Sequence, residues 1–145
     1  MPQASKIRAL VVDDQLTMRT LVRSCLQQIG LTDIREFPKA SEALAGLKAM
    51  PAHIVFSDFN MPEMDGLEFL RSIRADPQLK TIGFILLTGR ADADLVKRAA
   101  QFGANNYLVK PFTVAVLKPV MVGPPALGVK LTLVSVPLPN RSRIL

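Results

Sequence analysis

The chain has 145 residues, 49% apolar and 21% charged, a globular composition that excludes a disordered chain. Lys and Arg number 18 against 12 Asp and Glu, giving +6 at neutral pH, and no run approaches the ~18 apolar residues of a membrane span. The first six residues hold no apolar leader stretch, so secretion is not expected and a cytoplasmic location is. The single cysteine, Cys25, suits a reducing compartment.

Residues 7–12 are a short apolar run closed by Asp13-Asp14, the pattern of a strand buried on both faces. Residues 15–29 change period: Met18, Leu21, Val22, Cys25, Leu26 and Ile29 form a helical stripe that Gly30 stops. Residues 33–37 give a second strand closed by Pro38, and 39–50 a helix with Ala40, Ala43, Leu44 and Leu47 on one face. A third strand, 52–57, ends at Asp58, and a third helix, 65–75, runs from Asp65 as its cap to Asp76-Pro77. Strand 82–87 ends at Thr88-Gly89, helix 91–102 stops at Gly103, and strand 105–109 ends at Lys110-Pro111. Five strands alternating with helices predict an open, doubly wound parallel sheet with helices on both faces.

The charge is unevenly placed. Residues 1–117 hold every acidic side chain, whereas 118–145 hold Lys118, Lys130, Arg141 and Arg143, five of the 11 prolines and no aromatic residue. The chain therefore divides by composition near Leu117, and the basic excess belongs mostly to a proline-rich tail with no dense Lys/Arg cluster. Nucleic-acid binding and membrane insertion are not expected.

In open parallel sheets, ligands bind beyond the carboxyl ends of the strands. With strand order 2-1-3-4-5, Asp13, Asp14, Asp58, Thr88 and Lys110 meet in one crevice. Carboxylates so close repel by ~4 kcal/mol per pair at an effective dielectric of about 20, so they need a cation or raised pKa values. Hard oxygen ligands on loops suit Mg²⁺. Asp58, alone at the end of an apolar strand, is placed as a nucleophile toward a phosphoryl group. Lys110 offers a positive charge to the phosphoryl oxygens, and Thr88 a hydroxyl.

Asp13-Asp14, the segment SDFNMPEMDG around Asp58, Thr88-Gly89 and Lys110-Pro111-Phe112 together resemble the receiver domain of bacterial two-component response regulators. Met18-Arg19 and Tyr107 are most similar to its stand-alone chemotaxis type. The resemblance implies a flavodoxin-like five-stranded fold over 1–117, with Asp58 accepting a phosphoryl group from a sensor histidine kinase or a histidine phosphotransfer protein. It implies that Asp14 binds Mg²⁺ directly, Asp13 through water and Asn60 through its backbone carbonyl. Thr88 and Tyr107 would be the switch residues, Lys110 would pair with the phosphoryl group, and the Lys110-Pro111 bond would be cis. The side chains of Asn60 and Arg90 would flank the site and tune hydrolysis of the acyl phosphate. Output would be binding to a protein such as a flagellar motor switch protein, with no attached DNA-binding domain expected.

Other readings are weaker. An isolated Asp-Asp pair is usually a solvated turn or helix cap; here three further strand ends argue against that. A phosphate sink or phosphorelay intermediate would need only the Asp58 chemistry. A Mg²⁺-dependent aspartyl-phosphate phosphatase would resemble the haloacid dehalogenase family, but Asn60 stands where its second acid belongs. A flavin module is disfavoured because the first strand–helix turn lacks a phosphate loop. His53 has no companion ligands and reads as an ordinary turn residue; Cys25 reads as core. Asn140-Arg141-Ser142 matches a glycosylation pattern that an intracellular chain would not use.

The tail is where the resemblance breaks. A fifth helix is expected to start at 114–118, but Pro119 costs ~3 kcal/mol in a helix interior, and Gly123-Pro124-Pro125 follows. The expectation is a fifth helix truncated or replaced by an atypical tail, 118–145, that is either a lineage-specific extension or an out-of-frame reading. Residues 131–136 read as a strand. With a sheet face uncovered, that strand predicts self-association.

Overall fold

The computed structural model describes residues 4–90 and 92–122. After a short 3-10 turn, Ala4–Lys6, strands and helices alternate: β1 (Arg8–Val12), α1 (Leu16–Ile29), β2 (Asp33–Phe37), α2 (Ala40–Ala49), β3 (Ile54–Asp58), α3 (Gly66–Ala75), β4 (Gly83–Thr88), α4 (Ala93–Phe102), β5 (Asn106–Val109) and α5 (Val114–Val122). The strands form one sheet in the order β2-β1-β3-β4-β5, and every pairing is parallel. This is the doubly wound sheet that the alternation predicts, in the flavodoxin-like form that the resemblance implies.

The apolar runs of β1, β3 and β4 are continuous because these central strands bury both faces. On one side, Leu10 and Val12 of β1 pack with Ala43 and Leu47 of α2, Phe69 and Leu70 of α3, and Leu95 and Ala99 of α4. On the other, Ala9 and Val11 pack with Val22 and Leu26 of α1 and with Leu117 and Met121 of α5. Cys25 is buried in this second layer as a free thiol. Burial pushes that thiol's pKa up, as expected for an inert core cysteine.

Two strands run one residue further than their apolar stretches. Asp58 pairs with Leu87 as the last residue of β3, and Thr88 pairs with Val109 as the last of β4. The ladder therefore holds the backbone of both polar residues. Helix α4 begins at Ala93, capped by the Asp92 carboxylate, which accepts from the Leu95 N–H at 2.8 Å. The sequence-based start at residue 91 lies outside the described residues.

The fifth helix corrects the sequence-based expectation. It does not stop at Pro119 but runs through it to Val122. Proline removes one backbone donor, normally paired with the carbonyl four residues earlier. Here both Pro119 and Ala115 are exposed, so a carbonyl without that donor is not shut inside the core. Leu117 and Met121 lie on the opposite side, 0% and 2% exposed. Burying two such side chains contributes about 1.5–3 kcal/mol each, enough to offset the ~3 kcal/mol cost of an interior proline. The sheet face expected to lie open is thus covered by α5. The helix crosses the compositional boundary at Leu117; the 131–136 strand and the rest of the tail from 123 lie outside the described residues.

Candidate functional site: an acidic pocket at the carboxyl edge of the sheet

The register brings the strand ends level. Val12 lies beside Phe37 and Ser57, so Asp13 emerges next to Asp58, while Thr88 and Lys110 close the row from β4 and β5. Asp13 is fully buried and Asp58 is 5% exposed, whereas Asp14 is exposed. One carboxylate oxygen from each of Asp13, Asp14 and Asp58 lies within 4.8 Å of the others. The Lys110 ammonium donates to Asp58 Oδ1 at 2.9 Å and stands 3.4 Å from Asp13 Oδ2. All four of these residues are brought together as the sequence predicts.

The turn after β1 is tightly held. The Asp13 N–H donates to the Phe37 carbonyl at 3.2 Å, and Asp13 Oδ1 accepts from the Gln15 N–H at 2.9 Å. The Asp13 carbonyl accepts from Arg19 Nη1 at 2.7 Å. Burial raises the Asp13 pKa above the usual carboxylate value; the Asp58 charge adds to this, and the Gln15 N–H and Lys110 oppose it. Burial alone would lower the Lys110 pKa, but the hydrogen bond and charge of Asp58, with the charge of Asp13, outweigh it and raise the value. The ammonium is therefore locked in its charged form.

Residues 9–121 match the model of the response regulator receiver domain. This chain belongs to that family. It is 46% identical over 115 residues to the "Probable chemotaxis protein CheY" of Rhizobium etli, covering 79% of this chain and 89% of that protein. It is 40% identical over 112 residues to chemotaxis protein CheY-3 of Vibrio cholerae, covering 77% and 86%. Among solved structures, Vibrio cholerae CheY4 superposes with a TM-score of 0.72 at 32% identity, over 77% of this chain and 92% of that one.

Receiver domains bind Mg²⁺ in an acidic pocket, and this one has a donor set that fits. Three carboxylates outnumber the one ammonium, all the donors are hard oxygens, and Asp14 opens the cluster to water. Such a set suits a small divalent cation that keeps part of its water shell. Asn60 is exposed on the loop after β3. That loop is shaped by the Phe59 N–H donating to the Leu87 carbonyl at 2.9 Å and by the Gly66 N–H donating to the Phe59 carbonyl at 2.8 Å. Asp65 caps α3 as read from the sequence: its carboxylate accepts from Leu67 and Glu68 N–H groups, and Glu68 closes the capping box.

Thr88 is buried at the pocket, but its hydroxyl is engaged with its own loop. It donates to the Arg90 carbonyl at 2.7 Å and accepts from the Arg90 N–H at 3.2 Å. Tyr107 is half-buried on β5 and packs against the α2–α4 side of the core. The Lys110-Pro111 peptide is cis, as the resemblance implied. His53 lies at the far edge of the sheet, where its Nδ1 accepts from the Arg8 N–H at 2.9 Å.

Two supporting contacts have little local signal in the sequence. In the sequence Arg19 stands out only in the Met18-Arg19 pair of the first helix, although an arginine six positions after Asp13 can fold back over the turn. The close approach of Gly66 to β3 had no local signal beyond the glycine itself. A Cβ at Gly66 would run into the Asp58 carbonyl and stand 3.0 Å from Phe59 Cα.

Proposed function

We propose that this receiver domain is a phosphorylation-activated switch of a two-component system whose phosphoacceptor is Asp58. The observation that carries the reading is the acidic pocket itself: three carboxylates within 4.8 Å of one another and Lys110 2.9 Å from Asp58. An Asp58 carboxylate oxygen attacks the phosphorus of a phosphohistidine, the phosphorus–nitrogen bond breaks, and the histidine leaves with its electron pair. The product on this chain is an acyl phosphate. Lys110 pairs with the phosphoryl oxygens, and its charge matters because the pocket is otherwise negative. Asp13, Asp14, Asp58 and the Asn60 backbone carbonyl would hold Mg²⁺, which neutralises charge on the transferring group when bound.

The positions of Thr88 at the pocket and of Tyr107 on β5 support their reading as switch residues. The Thr88 hydroxyl leaves Arg90 for the new phosphoryl oxygens, and Tyr107 moves inward toward the space beside β4. Two arrangements of α4 and β5 then differ in population, by as much as the new contacts favour one of them. The chain performs this transfer and its own dephosphorylation, with no turnover of an external substrate. Its partners are a sensor histidine kinase or histidine phosphotransfer protein and a downstream protein target. The names of the Rhizobium and Vibrio relatives support chemotaxis, with a flagellar motor switch protein as target and the cytoplasm as location. Among the described residues, no helix is long and apolar enough to cross a membrane. The division into a 1–117 receiver and a 118–145 tail is one of composition, because α5 continues to Val122.

Incubation with Mg²⁺ and acetyl phosphate tests the phosphoacceptor. An acid-labile phosphoryl adduct is expected on the wild-type chain and none on Asp58→Asn. An adduct that survives the substitution overturns the assignment.

A further inference from the structure

We propose that Arg19, anchored by Glu36, is a positioning residue for the acidic pocket: it sets the Asp13–Asp14 turn in the geometry that cation binding needs. The inference rests on the reading of that pocket given above.

Strand β1 ends at Val12, so the Asp13 carbonyl projects past the last ladder pairing with β3. A carbonyl left there needs a partner. Arg19 supplies it from the first turns of α1, through Nη1 at 2.7 Å. The preceding peptide is fixed through the Asp13 N–H, which donates to the Phe37 carbonyl, and the Asp13 side chain by Gln15 and Lys110. Asp14 follows directly, and among the described residues its carboxylate makes no comparable bond. Where it points is therefore set by the orientation of the Asp13–Asp14 peptide, whose oxygen Arg19 holds.

Arg19 is held in turn. Its Nε stands 3.5 Å from Glu36 Oε1 on β2, and its side chain is only 15% exposed. Glu36 also pairs with Arg23, one turn further along α1, at 3.1 Å. Arg23 donates to the Ile34 carbonyl at 3.0 Å and makes no bond to the pocket. The two arginines thus share one carboxylate and carry the same charge, but only Arg19 reaches the turn. That difference separates a positioning role from a general electrostatic or structural one.

The test compares wild type, Arg19→Gln, Arg23→Gln and Glu36→Gln by Mg²⁺ titration calorimetry, with a thermal scan by circular dichroism on each. Arg19→Gln is expected to weaken Mg²⁺ binding about tenfold, the low end of the range for residues that orient metal ligands. Glu36→Gln weakens it less, because Arg19 keeps its bond to the carbonyl but loses its anchor. Arg23→Gln lowers the melting temperature while leaving Mg²⁺ affinity near the wild-type value. Labelling of Asp58 by acetyl phosphate in Arg19→Gln should be slow at limiting Mg²⁺ and recover at saturating Mg²⁺. Should Arg19→Gln fail to fold, Arg19→Lys replaces it; one ammonium cannot serve both the carbonyl and Glu36, so an intermediate affinity is expected. Equal effects of the Arg19 and Arg23 substitutions on Mg²⁺ affinity, or no effect of either, overturn the inference. A wild-type chain that binds no Mg²⁺ overturns it together with the reading of the pocket.

Discussion

Replacing Gly66 by alanine tests how closely the third helix is fitted against the phosphoacceptor strand. The new Cβ would collide with the Asp58 backbone carbonyl and would lie 3.0 Å from both Phe59 Cα and Leu86 Cδ1. Two of these three neighbours are backbone atoms, pinned by the β3–β4 ladder and by the Gly66 N–H donating to Phe59. They cannot swing aside, so either α3 or the Asp58 peptide must shift. Overpacking of this kind costs about 1–3 kcal/mol. With a urea dependence of about 2 kcal/mol per molar, the unfolding midpoint should fall by about 0.5–1.5 M. Labelling of Asp58 by acetyl phosphate should slow as well, because the strained peptide carries the acceptor. Gly46→Ala is the control. There the obstacle is the far end of the half-buried Phe37 ring, 2.6 Å from the new Cβ, a side chain rather than backbone. The helix gains up to about 1 kcal/mol from losing a glycine, so the net change should be small. A Gly66→Ala chain with the wild-type midpoint and labelling rate would refute the reasoning.

Arg74 makes a second prediction. Its guanidinium donates to the Ile82 carbonyl at 2.6 Å and to the Gly103 carbonyl at 2.8 Å through Nη2 and 3.1 Å through Nε, tying the end of α3 to the turns before β4 and β5. Burial pushes its pKa down to about 10, so it is still a cation at neutral pH. Arg74→Met keeps the stem but withdraws charged donors from the part-buried bonds to the Ile82 and Gly103 carbonyls at about 1–2 kcal/mol for each carbonyl; chemical unfolding should show a loss of about 2–4 kcal/mol, and a loss under about 0.5 kcal/mol would count against the clamp. His53 gives a pH dependence. Burial lowers its folded pKa below 6.5, the Arg8 charge lowers it further and the Asp33 charge opposes; the neutral ring also accepts the Arg8 N–H. The unfolded chain therefore takes up a proton first, so this stability is complete above pH ~6.5 and drains away as pH falls toward the folded value. Midpoints measured from pH 7.5 to 5 should fall in wild type and lose part of that slope in His53→Gln; identical slopes would exclude His53 as the source.

The carboxyl-edge site was legible because each functional residue terminates an apolar run, and the 2-1-3-4-5 order makes four of those ends neighbours. Asp13, Asp14, Asp58 and Lys110 need nothing more than strand ends to be placed. Features that depend on tertiary contact were not legible. Pro119 signals helix termination when read locally, yet burial of Leu117 and Met121 against α1 and the sheet carries α5 to Val122. Thr88 stands at the pocket as its strand end predicts, while the bonds of its hydroxyl to Arg90 are a loop geometry that no spacing rule encodes. Arg19 and Glu36 are 17 positions apart and belong to different elements; only the packing of the folded chain brings them together.

The central claim is that Asp58 is the phosphoacceptor of a Mg²⁺-dependent switch. The most direct measurement is peptide mapping by mass spectrometry after incubation with acetyl phosphate, with and without Mg²⁺. The account predicts one phosphoryl group, on the peptide containing Asp58, formed only when Mg²⁺ is present. A phosphoryl group on another residue, or labelling that proceeds equally without Mg²⁺, would contradict it.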